Sequence, residues 1–415
     1  MDQHYGIMNK DHHHLVETFQ SFGKKKSITK KPTSKLKILY VTFFEYPHMG
    51  GLSHYITSVK EGFENREHEV VVLSPNQMSE KDLQHRIPEV ANEVRAYMLK
   101  RYGEVNEKII KNTSFLIVFE EFLRMQHLEK FDVIHAQDLF ALFVLGKLNQ
   151  EYQKTIFFTP HGFFTKSRLK FNKMKKGSLE EAYFTEVEKQ GIRASDEIII
   201  ISDSFRNPLI DFGAKDENMT TVYTGINFQP EIKEKEDHKL IISSVSRLSP
   251  RKGHEYFFKA LSQLEKEELS KVDVWIVGDG VMRGRLENLV EELGLENVIF
   301  FGKRTDVAKL LSKSSIFVLS TINDNFPLSV IEAMFAGQAI ITSNCGGIPE
   351  MIQDGETGMI CEPGDTDQIK DALKLLINNI ELRNSLGIAA KTYAEKHLRQ
   401  DVMISKLEKV YQSYL

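Results

Sequence analysis

Cysteines and long apolar runs are scarce or missing in this sequence, and each absence excludes a class of protein. Among 415 residues there are two cysteines, Cys345 and Cys361, whose spacing forms neither a metal site nor a redox pair and fits a reducing compartment. No run of about 18 apolar residues occurs, and no apolar segment lies near the amino terminus, which argues against a membrane-spanning helix and a signal peptide. The sequence therefore predicts a cytoplasmic protein.

A strong charge bias is also missing. The chain carries 54 Lys and Arg against 58 Asp and Glu, a formal net charge of −4, so it lacks the basic excess of a nucleic-acid-binding protein. Hydrophobic residues make up 41% of the sequence, and a chain of this length exceeds what one core usually serves. We therefore expect two domains and no nucleic-acid partner.

The first 34 residues are polar, and we predict that they form a disordered tail. They contain three consecutive histidines at 12–14 and lysine groups at 24–26 and 30–31. Such groups can bind a metal or an anionic lipid, but the surrounding composition favours a solvated tail.

Beyond the tail, short apolar runs rich in β-branched residues alternate with longer amphipathic segments, a pattern typical of parallel sheets covered by helices on both faces. A charged stretch without hydrophobic periodicity at 229–238 indicates a linker. The predicted parts are a domain over 35–228, a second domain over 239–392, and a C-terminal helix over 393–415 that could cross back to the first. The predicted strands are 36–42, 69–73, 131–135, 155–159, 197–201 and 220–223, then 239–245, 272–277, 298–301, 316–319, 339–342 and 359–362.

Two doubly wound domains of this kind are expected to face each other across a cleft at the carboxyl ends of their strands, where such sheets bind ligands. The segment 324–332, Asp-Asn-Phe-Pro-Leu-Ser-Val-Ile-Glu, follows one such strand. Pro327 suits the first position of a helix, and Glu332 is the only charged side chain of that helix. A carboxylate among apolar residues needs donors, which ligand hydroxyls would supply. Alternatively, Asp324 and Asn325 cap the helix and Glu332 pairs with a buried base.

Basic side chains follow the first strand of the second half. Arg247 and Lys252 can converge on one diphosphate, Arg as a planar fork and Lys as a point charge. They would neutralise a leaving group that gains negative charge as its bond breaks. Arg251, between them, fits a solvated basic turn better.

Two strand ends of the first half carry weaker signals. Gly50 and Gly51 follow the first strand, where a glycine pair lets backbone N–H groups approach a phosphate, although tight turns use the same pair. His161 follows the fourth strand and would emerge at the edge of the cleft, although a histidine there can also be an ordinary loop residue. His54 and His135 are weaker candidates. Residues 166–176 interleave basic and apolar side chains and could meet an anionic acceptor or a membrane surface, but a solvated face is favoured.

Taken in order, these motifs resemble glycosyltransferase family 4 over about residues 36 to 400. The resemblance rests on Gly50-Gly51, His161, Arg247 with Lys252-Gly253, the acids at 324 and 332, and the run Gly346-Gly347-Ile348-Pro349-Glu350. It implies the GT-B architecture, α/β with two Rossmann-like doubly wound domains. It further implies that the second domain binds a nucleotide-sugar donor and the first a hydroxyl acceptor, with retention of configuration and neither metal nor cofactor.

The resemblance also implies a role for each site residue. The expected assignments are Arg247 and Lys252 on the donor diphosphate, Glu332 on the ribose, Asp324 and His161 on the sugar, Gly50 and Gly51 on the diphosphate, Asn325, Phe326, Pro327 and Leu328 along the sugar and phosphates, and Lys303 and Arg304 at the base. The family usually has Glu-Gly where this chain has Asp324-Asn325, so donor choice is expected to be decided there. UDP-linked glucose or N-acetylglucosamine is the expected donor, ahead of GDP-mannose.

Two other functional hypotheses are compatible with the sequence. One is a nucleotide-sugar-binding protein that does not transfer, because Asp324 has a shorter arm than Glu. The other is an oxidoreductase or a sugar-nucleotide epimerase, although the spacing of Gly278, Gly280 and Gly284 is one residue too long for the dinucleotide fingerprint. The acceptor, the oligomeric state and a peripheral contact with the inner face of a membrane are not specified by any motif.

Overall fold

A computed structural model describes residues 35–48, 50–230 and 239–415 of the chain. The predicted tail and residues 231–238 of the predicted linker lie outside the described residues. The described part of the chain divides into two compact units. Unit 1 comprises the described residues up to Ile201 together with Phe205–Val222 and Ile404–Leu415, and unit 2 comprises Ser202–Ser204 and Tyr223–Met403.

Unit 1 gives way to unit 2 between Val222 and Tyr223, six residues before the predicted boundary at residue 228, because the segment from Tyr223 packs within unit 2. Tyr223 stacks on Phe326 with ring centroids 5.4 Å apart, and Ile226 forms a bridge with Arg399. The predicted start of a C-terminal helix at residue 393 is also wrong, since it falls inside a helix that ends at His397.

Unit 1 is built on a parallel sheet of six strands among the described residues, in the order β2-β1-β3-β4-β5-β6. The strands are rich in Ile, Val and Phe and almost fully buried, as expected for a sheet covered on both faces. Their bounds are Lys37–Val41 (β1), Glu69–Leu73 (β2), Val133–Ala136 (β3), Ile156–Phe158 (β4), Glu197–Ile200 (β5) and Met219–Thr221 (β6).

Helices connect these strands. The most apolar is α4, whose Leu139, Phe140, Leu142, Phe143 and Leu145 are all buried in the core of unit 1. The helices are Gly51–Glu64 (α1), Ile87–Tyr102 (α2), Glu107–Arg124 (α3), Leu139–Tyr152 (α4), Phe164–Lys170 (α5), Leu179–Ala194 (α6) and Arg206–Asp211 (α7).

Unit 2 repeats the plan, with a parallel sheet of six strands among its described residues in the order β12-β11-β10-β7-β8-β9. The strands are Leu240–Val245 (β7), Val272–Val277 (β8), Val298–Gly302 (β9), Ile316–Leu319 (β10), Ala339–Ser343 (β11) and Met359–Cys361 (β12). The helices are His254–Ser262 (α8), Lys266–Ser270 (α9), Arg283–Glu292 (α10), Val307–Lys313 (α11), Leu328–Phe335 (α12), Ile348–Met351 (α13), Thr366–Asn378 (α14), Ile380–His397 (α15) and Gln400–Gln412 (α16).

The predicted α/β class and the alternation of strands with helices are confirmed, and every predicted strand is present with small shifts at its ends. In each sheet the strand order reverses direction beside the first strand, β1 or β7, and the carboxyl ends of neighbouring strands at such a point carry the ligand site in doubly wound folds. None of the helices in the described part of the chain combines the length and the apolar composition that crossing a bilayer requires.

Candidate active site

The loop that follows β7 brings basic side chains to the carboxyl edge of the sheet of unit 2. A single 3₁₀ turn, Pro250–Lys252, leads into Gly253, which has φ of 67°. A Cβ atom at Gly253 would lie 1.9 Å from the carbonyl oxygen of Ser320, so no other residue fits this left-handed position against the loop after β10. The two loops are therefore packed backbone to backbone.

Lys252 is the most buried cation of this loop, with 8% of the residue exposed. Its Nζ forms an ion pair with a carboxylate oxygen of Asp324. Burial lowers the pKa of Lys252, and the attraction of Asp324 opposes that change. A desolvated ammonium group gains more from an anionic partner than an exposed one does, so Lys252 is placed to bind phosphate strongly.

Arg251 does not behave as the solvated turn residue that the sequence predicts. Its Nη1 donates to the carbonyl oxygen of Asn323 at 2.9 Å and contacts Asp324 Oδ1 at 3.4 Å. Its own carbonyl oxygen accepts from the amide of Ile322 at 2.8 Å. Arg251 therefore holds the loop that presents Asp324, and that carboxylate lies between two cations. Arg247 is exposed directly after β7.

Asp324 lies in a loop that two glycines fix from the other side. A Cβ atom at Gly346 would lie 1.8 Å from the carbonyl oxygen of Asp324. The amide of Gly347 donates to the carbonyl oxygen of Asn325 at 2.7 Å. Gly346 and Gly347, which belong to the run that carries the family resemblance, therefore bring the loop after β11 against the loop after β10. Asp324 does not cap the helix that follows, because its carboxylate is held by Lys252 and Arg251 instead.

Helix α12 begins at Leu328, so the prediction that it begins at Pro327 is wrong by one residue. The proline ring fixes φ at −70°, but ψ of 120° leaves Pro327 extended as the residue before the helix. No side chain of the described residues caps this end, which leaves its backbone N–H groups and the positive end of the helix dipole for an anion. Phe326, 6% exposed, stacks on Tyr223 and anchors the approach to the helix.

Glu332 lies one turn into α12, is half-buried, and belongs to a helix whose other buried residues are all apolar. Burial raises the pKa of its carboxyl group to about 7. Within the described residues no side chain donates a hydrogen bond to this carboxylate or pairs with it, so the alternative that it pairs with a buried base is wrong. A group this costly to ionise is expected to be completed by a ligand that donates hydroxyl hydrogen bonds.

Lys303 and Arg304 follow β9 and are exposed. Arg304 forms two hydrogen bonds of 2.7 Å with the carboxylate of Asp306. The role at the nucleotide base stays a prediction for both residues.

In unit 1, Gly50 and Gly51 lie at the start of α1, where no side chain of the described residues caps the helix. His161 follows β4, and its Nε2 lies 3.2 Å from Oε1 of Gln137, the residue after β3. The ring of Tyr55, from α1, meets the His161 imidazole edge to face with centroids 4.8 Å apart. Burial lowers the pKa of His161 to about 3, so the imidazole is neutral at physiological pH.

His135, a weaker candidate, is completely buried and belongs to the core of unit 1. Its Nδ1 lies 2.6 Å from the hydroxyl of Tyr411, and its Nε2 lies 2.8 Å from Oγ1 of Thr159. Burial holds the pKa of His135 well below its usual range. This histidine fastens the C-terminal helix to the sheet and is not available to a substrate.

Two family models match the chain, one in each half. The model for "Glycosyltransferase Family 4" matches residues 49–229, and the model for "Glycosyl transferases group 1" matches residues 226–393. The chain belongs to glycosyltransferase family 4. The resemblance predicted from the sequence is therefore confirmed.

Among similar proteins, an uncharacterized glycosyltransferase of Methanocaldococcus jannaschii is 24% identical over 396 residues, which cover 91% of this family 4 chain and 98% of the relative. The N-acetyl-alpha-D-glucosaminyl L-malate synthase of Bacillus anthracis is 30% identical over 54% of this chain and 61% of the relative.

Solved structures show the fold. The Anabaena protein HepE in complex with UDP and glucose matches with a TM-score of 0.68 at 17% identity, over 91% of this chain and 100% of that one. The sucrose-phosphate synthase of Thermosynechococcus elongatus matches with a TM-score of 0.73 at 20% identity, over 91% and 98%. The family 4 chain has the fold of GT-B glycosyltransferases.

Two side chains of this glycosyltransferase were missed from the sequence. Arg251 was set aside because a base beside a proline and a glycine is typical of a solvated turn. Gln137 offered a usable signal: it follows β3 as His161 follows β4, and adjacent parallel strands bring such residues to one edge.

Proposed function

We propose that this glycosyltransferase moves a hexose or an N-acetylhexosamine, with retention of configuration, from a nucleotide-diphosphate sugar to a hydroxyl acceptor. UDP-linked glucose or N-acetylglucosamine is the favoured donor. The observation that carries the proposal is Glu332, a half-buried carboxylate whose pKa is raised to about 7 by desolvation and which has no partner among the described residues. Ribose hydroxyls are donors of the kind it requires.

The charges of unit 2 support a diphosphate in the same site. Lys252 is buried and cationic, and Arg251 adds a second positive charge beside it. The uncapped start of α12 adds backbone N–H donors. Together with Arg247 after β7, these groups offer positive charge where a leaving diphosphate needs it.

The chemistry that we propose is a displacement at the anomeric carbon. The bond from that carbon to the diphosphate oxygen breaks and the diphosphate keeps the electron pair, which Arg247, Lys252 and the start of α12 stabilise. The acceptor oxygen forms the new bond on the same face, and its proton passes to the departing diphosphate oxygen. No separate base and no metal are required. The roles of Asp324 with Asn325 and Leu328 on the sugar, and of Gly50, Gly51 and His161 in unit 1, stay predictions.

The names of similar proteins support the choice of donor. HepE is known in complex with UDP-glucose, and the Bacillus anthracis relative is named for an N-acetylglucosaminyl product. The acceptors in such names differ, from L-malate to a diphospho-undecaprenol, so we propose only a hydroxyl acceptor. A metal-independent reaction and a cytoplasmic location also stay predictions.

We further propose that residues 166–176 contact an anionic membrane surface. Lys170, Lys173, Lys175 and Lys176 are exposed, and none of the four forms an ion pair with another described residue. By contrast, Lys166 pairs with Asp211 at 3.2 Å. Glu188 accepts from the first backbone amide of α5 at 2.7 Å and so fixes the start of the helix that carries Lys170, and the other three lysines lie in the loop after this helix. The charge complements acidic headgroups.

The test is a donor screen. The purified 415-residue chain is incubated with UDP- and GDP-linked sugars and a mixture of candidate acceptors, and the products are measured by mass spectrometry. We expect transfer or slow hydrolysis of a UDP-sugar, with the anomeric configuration kept. Binding without turnover of any donor would favour the non-transferring reading, and binding of a nicotinamide cofactor in place of nucleotide sugars would favour the oxidoreductase reading.

A further inference from the structure

We propose that Gln137 is a positioning residue for the transfer reaction, because it fixes the orientation and the tautomer of the His161 imidazole. The inference rests on the proposed function, in which His161 contacts the transferred sugar. Neither residue type suggests a link from its place in the sequence, since 23 positions separate them. The link comes from the sheet of unit 1.

Strands β3 and β4 set the distance between the two side chains. They are neighbours in register, with Ala136 opposite Phe158, and the amide of Thr159 continues the ladder to the carbonyl oxygen of Ala136 at 3.0 Å. The amide of Gln137 donates across the other side to Val41 at 2.8 Å. Its backbone is thus held between β1 and β4, at the point where the strand order reverses.

The side chain of Gln137 is completely buried. Its Oε1 faces Nε2 of His161 at 3.2 Å, whereas its Nε2 has no hydrogen-bond partner among the described residues. A buried amide with one half unpaired lowers stability, and an apolar side chain of the same length would avoid that cost. The hydrogen bond between the amide oxygen and His161 therefore explains a polar residue at this position better than packing does.

The oxygen selects one form of the ring. His161 is neutral, since burial lowers its pKa to about 3, so one of the two ring nitrogens carries the hydrogen. With the carbonyl oxygen of Gln137 facing Nε2, that nitrogen donates, and Nδ1 is left as the acceptor of the ring. The opposite tautomer would place two lone pairs against each other at 3.2 Å.

Tyr55 is the second side chain that restrains the His161 imidazole. Its phenol meets the imidazole at an interplanar angle of 66°, and it extends from α1, the helix that begins at Gly51. A hydrogen bond at Nε2 and an aromatic edge together leave the ring one orientation. Gln137 and Tyr55 thus position His161 without being required to touch a substrate.

The test compares the full chain with Gln137→Met, which keeps the length of the side chain and removes the acceptor, and with Gln137→Glu, which keeps an acceptor. Gln190→Met is the matched control, because Gln190 is another buried glutamine of unit 1 with an unpaired amide oxygen, on α6. The side-chain nitrogens of ¹⁵N-labelled histidine are observed by NMR, with His161→Asn to assign the signals. Thermal unfolding reports whether each variant is folded.

We expect the unliganded protein to show His161 with hydrogen on Nε2, Gln137→Met to show mixed tautomers, and Gln137→Glu to restore the single form. On the donor that the screen identifies, Gln137→Met should lower kcat by about five- to tenfold, the equivalent of one hydrogen bond, with KM little changed. Gln190→Met should change neither the spectrum of His161 nor kcat.

A spectrum of His161 that is the same in the wild-type chain and in Gln137→Met would overturn the proposal, and so would hydrogen on Nδ1 in the wild-type chain. If Gln137→Met does not fold, the wild-type spectrum and Gln137→Glu still decide it. Absence of transfer by the wild-type chain would instead contradict the proposed function, since the NMR result does not depend on turnover.

Discussion

The carboxyl-end loops of the two sheets are built from opposite kinds of side chain. In unit 2 this edge carries charged groups that are largely removed from water. Lys252 is buried against Asp324, and the pKa of Glu332, on α12, is raised to about 7. In unit 1 the candidate site side chains on the matching edge are neutral, with His161 held by Gln137 and Tyr55. Charges confer affinity for an anionic nucleotide, whereas neutral hydrogen bonds fix a geometry. Substitutions should therefore affect binding in unit 2 and rate in unit 1.

The largest effect that this contrast predicts is at Lys252. Lys252→Ala removes the buried cation proposed to hold the diphosphate, so kcat/KM should fall by about 10² to 10³-fold and UDP affinity should fall with it. Transfer kinetics and calorimetric titration with UDP measure the two quantities.

The matched control is Lys271→Ala, an exposed lysine of unit 2 that pairs with Glu267, which should leave both quantities unchanged. If Lys252→Ala transferred sugar at the wild-type rate, the diphosphate would have to be held elsewhere.

A second prediction concerns the exposed lysines of α5 and of the loop after it in unit 1. Each lysine near an acidic surface is worth about 1 kcal/mol, so Lys173→Glu with Lys176→Glu should weaken binding to phosphatidylglycerol vesicles by at least about 30-fold. Sedimentation with vesicles measures this, and binding should also fall with added salt. Lys100→Glu with Lys111→Glu, exposed lysines on α2 and α3, is the control. Equal binding by both double variants would show that residues 166–176 are only a solvated face.

The site residues at the carboxyl ends of the strands differ in how well the sequence predicts them. The sequence singles out Lys252, Asp324 and Glu332 because charged residues stand out in the segments that follow apolar strands, and their roles in the site stay predictions. The contacts of Arg251 could not be predicted, since they depend on which atoms the folded loops bring within 3.5 Å, whereas the position of Gln137 at the end of β3 offered a signal but not its partner. The start of α12 was missed by one residue, because proline fixes φ and leaves ψ free. The strands were predicted well because a strand that is buried on both faces has a continuous apolar sequence.

A third prediction uses the pKa of Glu332, which burial raises to about 7 in the folded chain from an ordinary value of 4.5. If ribose hydroxyls donate to the carboxylate, affinity for a UDP-sugar should rise by about tenfold between pH 6 and pH 8 as Glu332 ionises. A nucleotide sugar is the right ligand, because its diphosphate has no group that titrates near neutrality. Glu332→Gln should bind weakly and without this pH dependence. An identical pH profile in the variant would remove Glu332 from the site.

The same shift has a consequence for stability. Because the folded-state pKa lies above the unfolded value, the folded chain binds more protons between pH 4.5 and pH 7, and this contribution to the free energy of unfolding decreases as pH rises through that window. Without nucleotide, Glu332→Gln should therefore be more stable than the wild-type chain at pH 8, by about 1–3 kcal/mol. Thermal unfolding at pH 5 and pH 8 checks this, and the difference should be smaller at pH 5.

The smallest effect separates the two acids of unit 2. In the chain without ligand, Asp324 is the partner of both Lys252 and Arg251, so a diphosphate must compete with it for these cations. Asp324→Asn should raise the affinity for free UDP by a few-fold, because a neutral amide competes less than a carboxylate for Lys252 and Arg251, while it lowers transfer because the sugar loses its carboxylate. Asp371→Asn, an exposed acid of α14 beside Lys370, should do neither. Weaker UDP binding by Asp324→Asn would mean that the carboxylate holds Lys252 in place for the phosphate and does not compete with it. Lys252 would then be held in place by an acid, just as His161 is held in place by Gln137. The sites in the two units would differ only in the charge of their side chains.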